Sequence, residues 1–161
     1  MVYPGLFMSF MIRLSVFPNA SRFILLFLMM VLLNDSLAWV TGLLFGKSNR
    51  GLIAASPNKS IAGFAGGLLF SIITGIAAVI ILPDVFASKA LHPVLAAVIL
   101  GSGTGLAAIL GDLSESALKR SSGVKDSGKV ILGRGGALDS IDSLALAAPV
   151  FYILCLALFN L

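Results

Sequence analysis

The chain contains 161 residues, of which 58% are hydrophobic and 11% are charged, and its mean hydropathy is +1.07. Because a soluble domain carries roughly 25% charged residues, this composition excludes a soluble fold and an intrinsically disordered chain. One cysteine excludes an internal disulfide framework. At about 20 residues per crossing, the length allows one domain with five or six membrane helices.

The first apolar segment, about 3–17, is weak because it is short and contains Arg13. A removable signal peptide carries its charge before the apolar core, so none is predicted here. The chain opens within an apolar run, as a chain without its natural beginning would. We expect a single domain over 1–161, in which residues 1–22 form a weak first helix and linker.

Four stronger apolar segments follow the first, and we predict that all five are helices. The bilayer core cannot satisfy exposed backbone groups, and these runs are too long and too unpatterned for the strands of a barrel. The predicted fold class is therefore an all-α polytopic membrane bundle of about five transmembrane helices. The four later segments cover about 23–45, 61–82, 90–110 and 144–161.

The charges are concentrated in two of the connecting loops. The loops 46–60 and 111–143 contain eight of the eleven lysine and arginine residues, whereas 83–92 contains one lysine and one aspartate. Basic loops remain in the cytoplasm. We therefore predict that both basic loops are cytoplasmic, that the N-terminus lies inside, and that the C-terminus lies outside.

The longer basic loop carries the candidate chemistry. On a helix that continues from the fourth segment, Asp112, Glu115 and Lys119 share one face. Asp139 and Asp142, again three residues apart, precede the last apolar segment. Two acidic pairs with basic residues between them indicate a divalent cation, best matched by Mg²⁺, that bridges to phosphates. A solvated loop with cancelling charges is the alternative, although carboxylates at membrane depth are costly and usually functional.

Three polar motifs have a specific arrangement. The longest joins Ser116-Ala-Leu-Lys119-Arg120 to Lys125-Asp126-Ser127-Gly128, and then to Gly133-x-Gly135-Gly136-x-x-Asp139-x-x-Asp142. The other two read Asn34-Asp35-Ser36-x-Ala38-Trp39 and Ser56-Pro57-Asn58-Lys59-Ser60. Together they resemble the signature of the phosphatidate cytidylyltransferases, also called CDP-diacylglycerol synthases. The resemblance extends from about Asn34 to the C-terminus and places the catalytic region within 23–161.

The chain departs from the family pattern at four positions. Leu132 stands where the family usually has proline, Arg134 where it has histidine, Ser140 where it has arginine, and Ala62 where glutamate is common. The acids and lysines of the motifs are intact, so we expect the reaction type to be retained. Arg134 is expected to supply the positive charge that the missing arginine would have given. Family members usually have several more membrane helices before this region.

The resemblance implies that CTP and phosphatidate react to give CDP-diacylglycerol and pyrophosphate, with Mg²⁺ or another divalent cation. Catalysis is then mainly positioning and charge neutralisation, since two anions must meet. The implied metal ligands are Asp112 and Asp139, with Asp142 as a further ligand. The other implied catalytic residues are Lys119, Lys125 and Asp126, and the implied substrate-binding residues are Asp35, Ser56, Lys59, Arg120 and Arg134.

Two of these positions have structural alternatives. Ser56-Pro57 is typical of an N-cap and first turn for the third helix, whose N–H groups and Lys59 would then face an anion; simple capping is the alternative. Asp35 lines the lipid head-group cavity or a metal site, or else is a buried acid bonded to a neighbouring helix. We further predict that the carboxylates of Asp112 and Asp139 lie within about 8 Å, as ligands of one or two bridged metals do.

The predicted partners are CTP, phosphatidate and membrane lipids, with no nucleic acid; the oligomeric state stays open, a homodimer included. The predicted location is the inner cell membrane, with the active site in a cavity that is open to the cytoplasm. The rival interpretations are a truncated and inactive relative, or a small membrane transporter. A transporter would need a charged path across the helices, for which only Asp35 is well placed.

Overall fold

The structure is a computed structural model, and it describes residues 2–51, 53, 56–86, 91–124 and 141–159. Over these ranges the regular structure is helical, apart from one isolated antiparallel bridge between Arg50 and Ser60. The all-α prediction is therefore confirmed. The elements are α1 (Val2–Leu14), α2 (Ala20–Phe45), α3 (Ile61–Ile81), a 3₁₀ turn (Pro83–Val85), α4 (Pro93–Ser121) and α5 (Asp142–Phe159).

Four of the five helices, α2 to α5, are long and apolar enough to cross a membrane. The described α1 has 13 residues, which is shorter than the about 20 that a crossing requires. The sequence predicted about five spans and a weak first segment, and α1 is the helix that falls short. α4 continues to Ser121 without a break. The stretch that begins at Asp112 is therefore helical, as predicted.

The third helix begins where its apolar segment was predicted to begin, but the predicted N-cap at Ser56 is wrong. α3 begins at Ile61, and its N-cap is Ser60, whose hydroxyl accepts a hydrogen bond of 3.0 Å from the Gly63 N–H. Ser56 and Pro57 belong instead to a preceding turn, in which the Lys59 N–H donates to the Ser56 carbonyl at 3.1 Å. Serine and proline favour such a turn as much as a helix start, because proline fixes φ in both.

Successive helices pack side by side, α2 on α3, α3 on α4 and α4 on α5, while α1 packs mainly on α5. Small residues allow this close packing in an apolar bundle. A Cβ atom on Gly63 would lie 2.8 Å from the Ala38 carbonyl oxygen of α2, and one on Gly101 would lie 2.8 Å from the Ser71 carbonyl oxygen of α3. These glycines therefore allow α2, α3 and α4 to approach closely.

The two ends of the bundle differ in chemistry. One end contains the start of α2, the 3₁₀ turn and the end of α5, where the rings of Phe23 and Phe86 pack on Phe159 at 5.6 and 5.4 Å between centroids. Arg22 and Asp84 form an ion pair beside this aromatic cluster. The end of α2, the start of α3, the second half of α4 and the start of α5 form the other end, which we call the polar end.

Gly111 brings α5 against α4 at the polar end. A Cβ atom there would lie 2.6 Å from the carbonyl oxygen of Asp142 and 3.3 Å from the Ser143 Cα. Backbone atoms cannot move aside as the tip of a side chain can. The absence of a side chain at Gly111 therefore places the first turn of α5 directly beside Asp112.

We predict that Gly111→Ala destabilises the protein by about 1–3 kcal/mol, as overpacking of a well-packed interior does. Gly103→Ala is the matched control, because its Cβ would meet the movable Leu154 side-chain tip at the same 2.6 Å. Thermal unfolding in detergent measures both variants. Equal unfolding midpoints for the two variants would contradict the close approach at Gly111.

Candidate functional site

A cavity of about 410 Å³ opens at the polar end between α2, α3, α4 and the 46–60 loop. Its described wall includes two cationic side chains, Arg50 and Lys59, and two acidic ones, Asp35 and Asp112. An apolar part of the wall is formed by Trp39, Leu43, Phe64 and Ile109. A ligand in this cavity therefore meets both charged groups and hydrophobic side chains.

The central contact of this cavity is the ion pair between the Lys59 ammonium and an Asp112 carboxylate oxygen. The side chains are only 25% and 32% exposed, respectively. Lys59 comes from the loop before α3, and Asp112 comes from α4. The pair therefore joins two segments that are distant in the chain. Lys59 and Asp112 line the same cavity.

A second carboxylate stands beside this pair. Asp142, the first residue of α5, interacts electrostatically with Asp112, Asp35 and Lys59. Its Oδ1 accepts a 2.6 Å hydrogen bond from the N–H of Ser143, an arrangement that holds the carboxylate at the helix start. Four helices or their ends thus contribute charged groups to one small region.

Four predicted site residues, Lys125, Asp126, Arg134 and Asp139, lie outside the described residues. The predicted distance between Asp112 and Asp139 therefore stays a prediction. Of the metal ligands proposed from the sequence, the structure describes Asp112 and Asp142 and brings them close enough for their charges to interact.

The described residues fit a magnesium ion only in part. Within them, no three aspartate, glutamate, histidine or cysteine side chains surround a common point. Mg²⁺ is, however, commonly bound through one or two carboxylates together with substrate phosphates, keeping several waters. Asp112 and Asp142, whose charges act on each other, are the described carboxylates that could meet that smaller requirement.

Asn34 and Asp35 follow one another on α2 but have different surroundings. Asn34 is buried, and its amide Nδ2 donates a hydrogen bond of 3.2 Å to the Gly105 carbonyl of α4. Asp35 is exposed and lines the cavity. Asn34, and not Asp35, is therefore the buried side chain that is bonded to a neighbouring helix. Asp35 lies where an acid that lines the cavity would lie.

Lys119 and Arg120 lie about 10 Å further along α4 than Asp112, at 1.5 Å per residue, and are not among the residues that line the cavity. The Lys119 ammonium is 2.5 Å from a carboxylate oxygen of Glu115, one turn earlier on the same helix. Glu115 is buried despite its charge. The sequence predicted that Glu115 and Lys119 share one face of this helix. Their i, i+4 spacing is compatible with an ion pair but does not indicate that Glu115 is buried.

The start of α3 does not offer the free N–H groups that the sequence suggested for an anion. The N–H groups of Ile61 and Ala62 donate to the backbone and side-chain oxygens of Asn49, at 3.3 and 3.4 Å. Ser60 takes the next N–H, as described above. Ser56 is not among the residues that line the cavity, so its predicted contact with substrate is not supported by its position.

Several lining residues were missed as site residues by sequence reasoning, notably Arg50, Asn58 and Trp39. Asn58 and Trp39 belong to motifs that carried the resemblance, which was a usable signal. Arg50 belongs to a basic loop without acids. No feature of the neighbouring sequence indicated that the Arg50 side chain lines the cavity.

Comparison with known proteins shows the family of the chain. The sequence profile of the cytidylyltransferase family matches residues 1–158. A phosphatidate cytidylyltransferase of Aquifex aeolicus is 31% identical over 155 residues, which are 96% of this chain and 54% of that protein. One of Thermotoga maritima is 37% identical over 158 residues, or 95% of this chain and 56% of that protein. One of Staphylococcus saprophyticus is 37% identical over 146 residues, or 91% and 54%.

The chain therefore belongs to the cytidylyltransferase family. It is a membrane protein, and its described residues include four helices that are suited to cross a bilayer. The chain spans about half the length of the curated relatives it matches.

We predict that Glu115→Gln destabilises the protein by about 3 kcal/mol, because it leaves the Lys119 ammonium without its buried partner. The double variant Glu115→Gln with Lys119→Met should recover much of this loss, since no unpaired charge remains. Thermal unfolding of the single and double variants in detergent gives the coupling energy. Strictly additive effects would show that the two side chains do not stabilise each other.

Proposed function

We propose that the chain carries out the reaction named for its relatives, the transfer of a cytidylyl group from CTP to phosphatidate. CDP-diacylglycerol and pyrophosphate are the products. The observation that supports this proposal is the grouping of Lys59, Asp112 and Asp35 at one cavity of the polar end, with the charge of Asp142 acting on all three. Family membership supports the reaction class.

The chemistry needs few catalytic groups. The phosphatidate phosphate is largely anionic near neutral pH, because the second pKa of such a monoester is about 6. Its oxygen attacks the α-phosphorus of CTP, a new P–O bond forms, and the bond to the pyrophosphate leaving group breaks. No strong general base is required. The main barrier is the approach of one anion to another, which positioning and positive charge lower.

Lys59 is proposed to neutralise phosphate charge in this cavity. Its ammonium is held by Asp112, which fixes its position before substrate binds. Asp112 and Asp142, with Asp139 as predicted from the sequence, would hold Mg²⁺. When bound, the metal would supply further positive charge to the phosphates. The remaining proposed contributors are those that the sequence motifs imply: Lys119, Arg120, Lys125, Asp126 and Arg134.

The apolar part of the wall suits the lipid substrate. Trp39 and Leu43 line the cavity and are also exposed on the outer surface of α2, at 70% and 52%. In a bilayer that surface faces hydrocarbon or its boundary, where tryptophan is favoured. A lipid can then place its phosphate near Lys59 while its acyl chains stay on the hydrophobic side.

A transporter is less well supported. The described charged residues of the polar end are separated from Arg22 and Asp84 by the buried aromatic and aliphatic core of the bundle. A charged path from one end to the other would have to cross that core. A catalytically inactive relative remains the competing hypothesis, and the activity assay below decides between them.

We predict that the purified chain in detergent converts CTP and phosphatidate to CDP-diacylglycerol with Mg²⁺ and not with EDTA. Asp112→Asn should reduce turnover about a hundredfold or more, as loss of one positioned electrostatic group does. Asp84→Asn is the matched control, since Asp84 pairs with Arg22 at the opposite end. A folded wild-type chain without Mg²⁺-dependent turnover would refute the proposed activity, and normal turnover of Asp112→Asn would refute the assigned site.

We further propose that the polar end faces the cytoplasm of the inner membrane. Ser121→Cys at the end of α4 should then react with an impermeant thiol reagent only from the cytoplasmic side. His92→Cys, exposed before α4 at the opposite end, should react only from outside. Cys155 is buried and can be replaced by Ser in both variants. The reverse labelling pattern would overturn this orientation.

A further inference from the structure

The 46–60 loop is closed by backbone hydrogen bonds between its two sides. The Gly51 N–H donates to the Pro57 carbonyl at 2.9 Å, and Arg50 forms an antiparallel bridge with Ser60. The Ile61 N–H donates to the carbonyl of Asn49. This pairing places Arg50 across the loop from Lys59, and both side chains line the same cavity.

The guanidinium of Arg50 is anchored at one point. Its Nη2 donates a hydrogen bond of 3.0 Å to the Gly42 carbonyl near the end of α2. A guanidinium has five N–H donors in a rigid fork, so this bond leaves donors for a ligand in the cavity. The anchor restricts where the group can point, which lowers the entropic cost of binding.

The rest of the described wall explains why such a group is needed. The first N–H groups of α3 are already bonded within the protein. Lys59 is engaged by Asp112. Of the two cations that line the described cavity, Arg50 differs from Lys59 in that its hydrogen bond is to a backbone carbonyl, that of Gly42, and not to a carboxylate. A substrate with several phosphate charges therefore requires a cation whose charge is not already held by a carboxylate.

We propose that Arg50 is a phosphate-binding residue of this cavity. This inference deepens the proposed function, because the phosphates available to that reaction are those of CTP and phosphatidate. Arginine matches phosphate oxygens through two parallel N–H···O bonds, a geometry that lysine cannot reproduce. Arg50 and Lys59 then hold the phosphate from the two sides of one closed loop.

A purely structural role is the competing explanation, since Arg50 also bonds the end of α2. The two roles differ in their dependence on charge and on ligand. A structural role predicts a lower unfolding midpoint and equal weakening for charged and uncharged ligands. A phosphate-binding role predicts weaker binding only for phosphate-containing ligands.

The test compares wild type with Arg50→Lys, Arg50→Gln and Lys47→Gln. Lys47 is the matched control, because it is an exposed cation of the same loop that does not line the cavity. Each purified protein in detergent is titrated with CTP and Mg²⁺ in the absence of lipid. It is separately titrated with phosphatidate, and with diacylglycerol, which lacks the phosphate, in the absence of CTP. Thermal unfolding midpoints accompany each titration.

We expect Arg50→Gln to weaken binding of CTP, phosphatidate or both by about tenfold or more, the usual range for a charge-assisted hydrogen bond. The ligand that loses affinity identifies the phosphate that Arg50 contacts. Arg50→Lys should recover part of the loss, and Lys47→Gln should bind like wild type. Diacylglycerol binding should be unchanged in every variant.

Unchanged binding of both phosphate ligands by Arg50→Gln would overturn the proposal. Equal weakening for diacylglycerol, or an equal effect of Lys47→Gln, would overturn it as well. The proposed function is judged separately by turnover of the wild type. A chain that binds phosphate ligands through Arg50 without turnover would refute the reaction and leave this inference standing, whereas a wild type that binds neither ligand would refute both.

Discussion

The ion pair between Lys59 and Asp112 is the contact on which the polar end depends. It joins the loop before α3 to α4. It also pairs two opposite charges within a mostly apolar helix bundle, where an unpaired charge would be costly. The same pair gives the cavity its character. An ammonium and a carboxylate that are already in place can receive a phosphate and a cation without first being assembled.

The second constraint is the close approach of the helices. Acids from α4 and α5 come near each other only because Gly111 has no side chain to hold α5 away. Two neighbouring carboxylates repel each other, so this arrangement has an electrostatic cost unless a cation lies between or beside them. Lys59 partly meets that cost in the described structure. A divalent ion with substrate phosphates would meet it more fully.

Sequence reasoning was reliable where a single physical requirement decided the structure. The long apolar runs predicted the helices, since no other backbone structure is satisfied in hydrocarbon. It failed at the N-cap of α3, where Ser56 and Ser60 are both good caps and the structure uses Ser60, whose hydroxyl lies beside Gly42 of α2. It also missed Arg50, because its role depends on how the loop closes on itself. The relation of Asp139 to Asp112 lies outside the described residues and remains a prediction.

The sequence by itself determined that this is an all-helical membrane protein of the cytidylyltransferase family and which residues carry its motifs. Composition, apolar length and motif spacing are local properties, so they can be read from the chain directly. Only the tertiary structure decided which charges share one cavity: Lys59 pairs with Asp112, Lys119 pairs with Glu115, and Arg50 rests on Gly42. These partners depend on helix contacts and loop closure, which bring together groups that no spacing in the sequence relates.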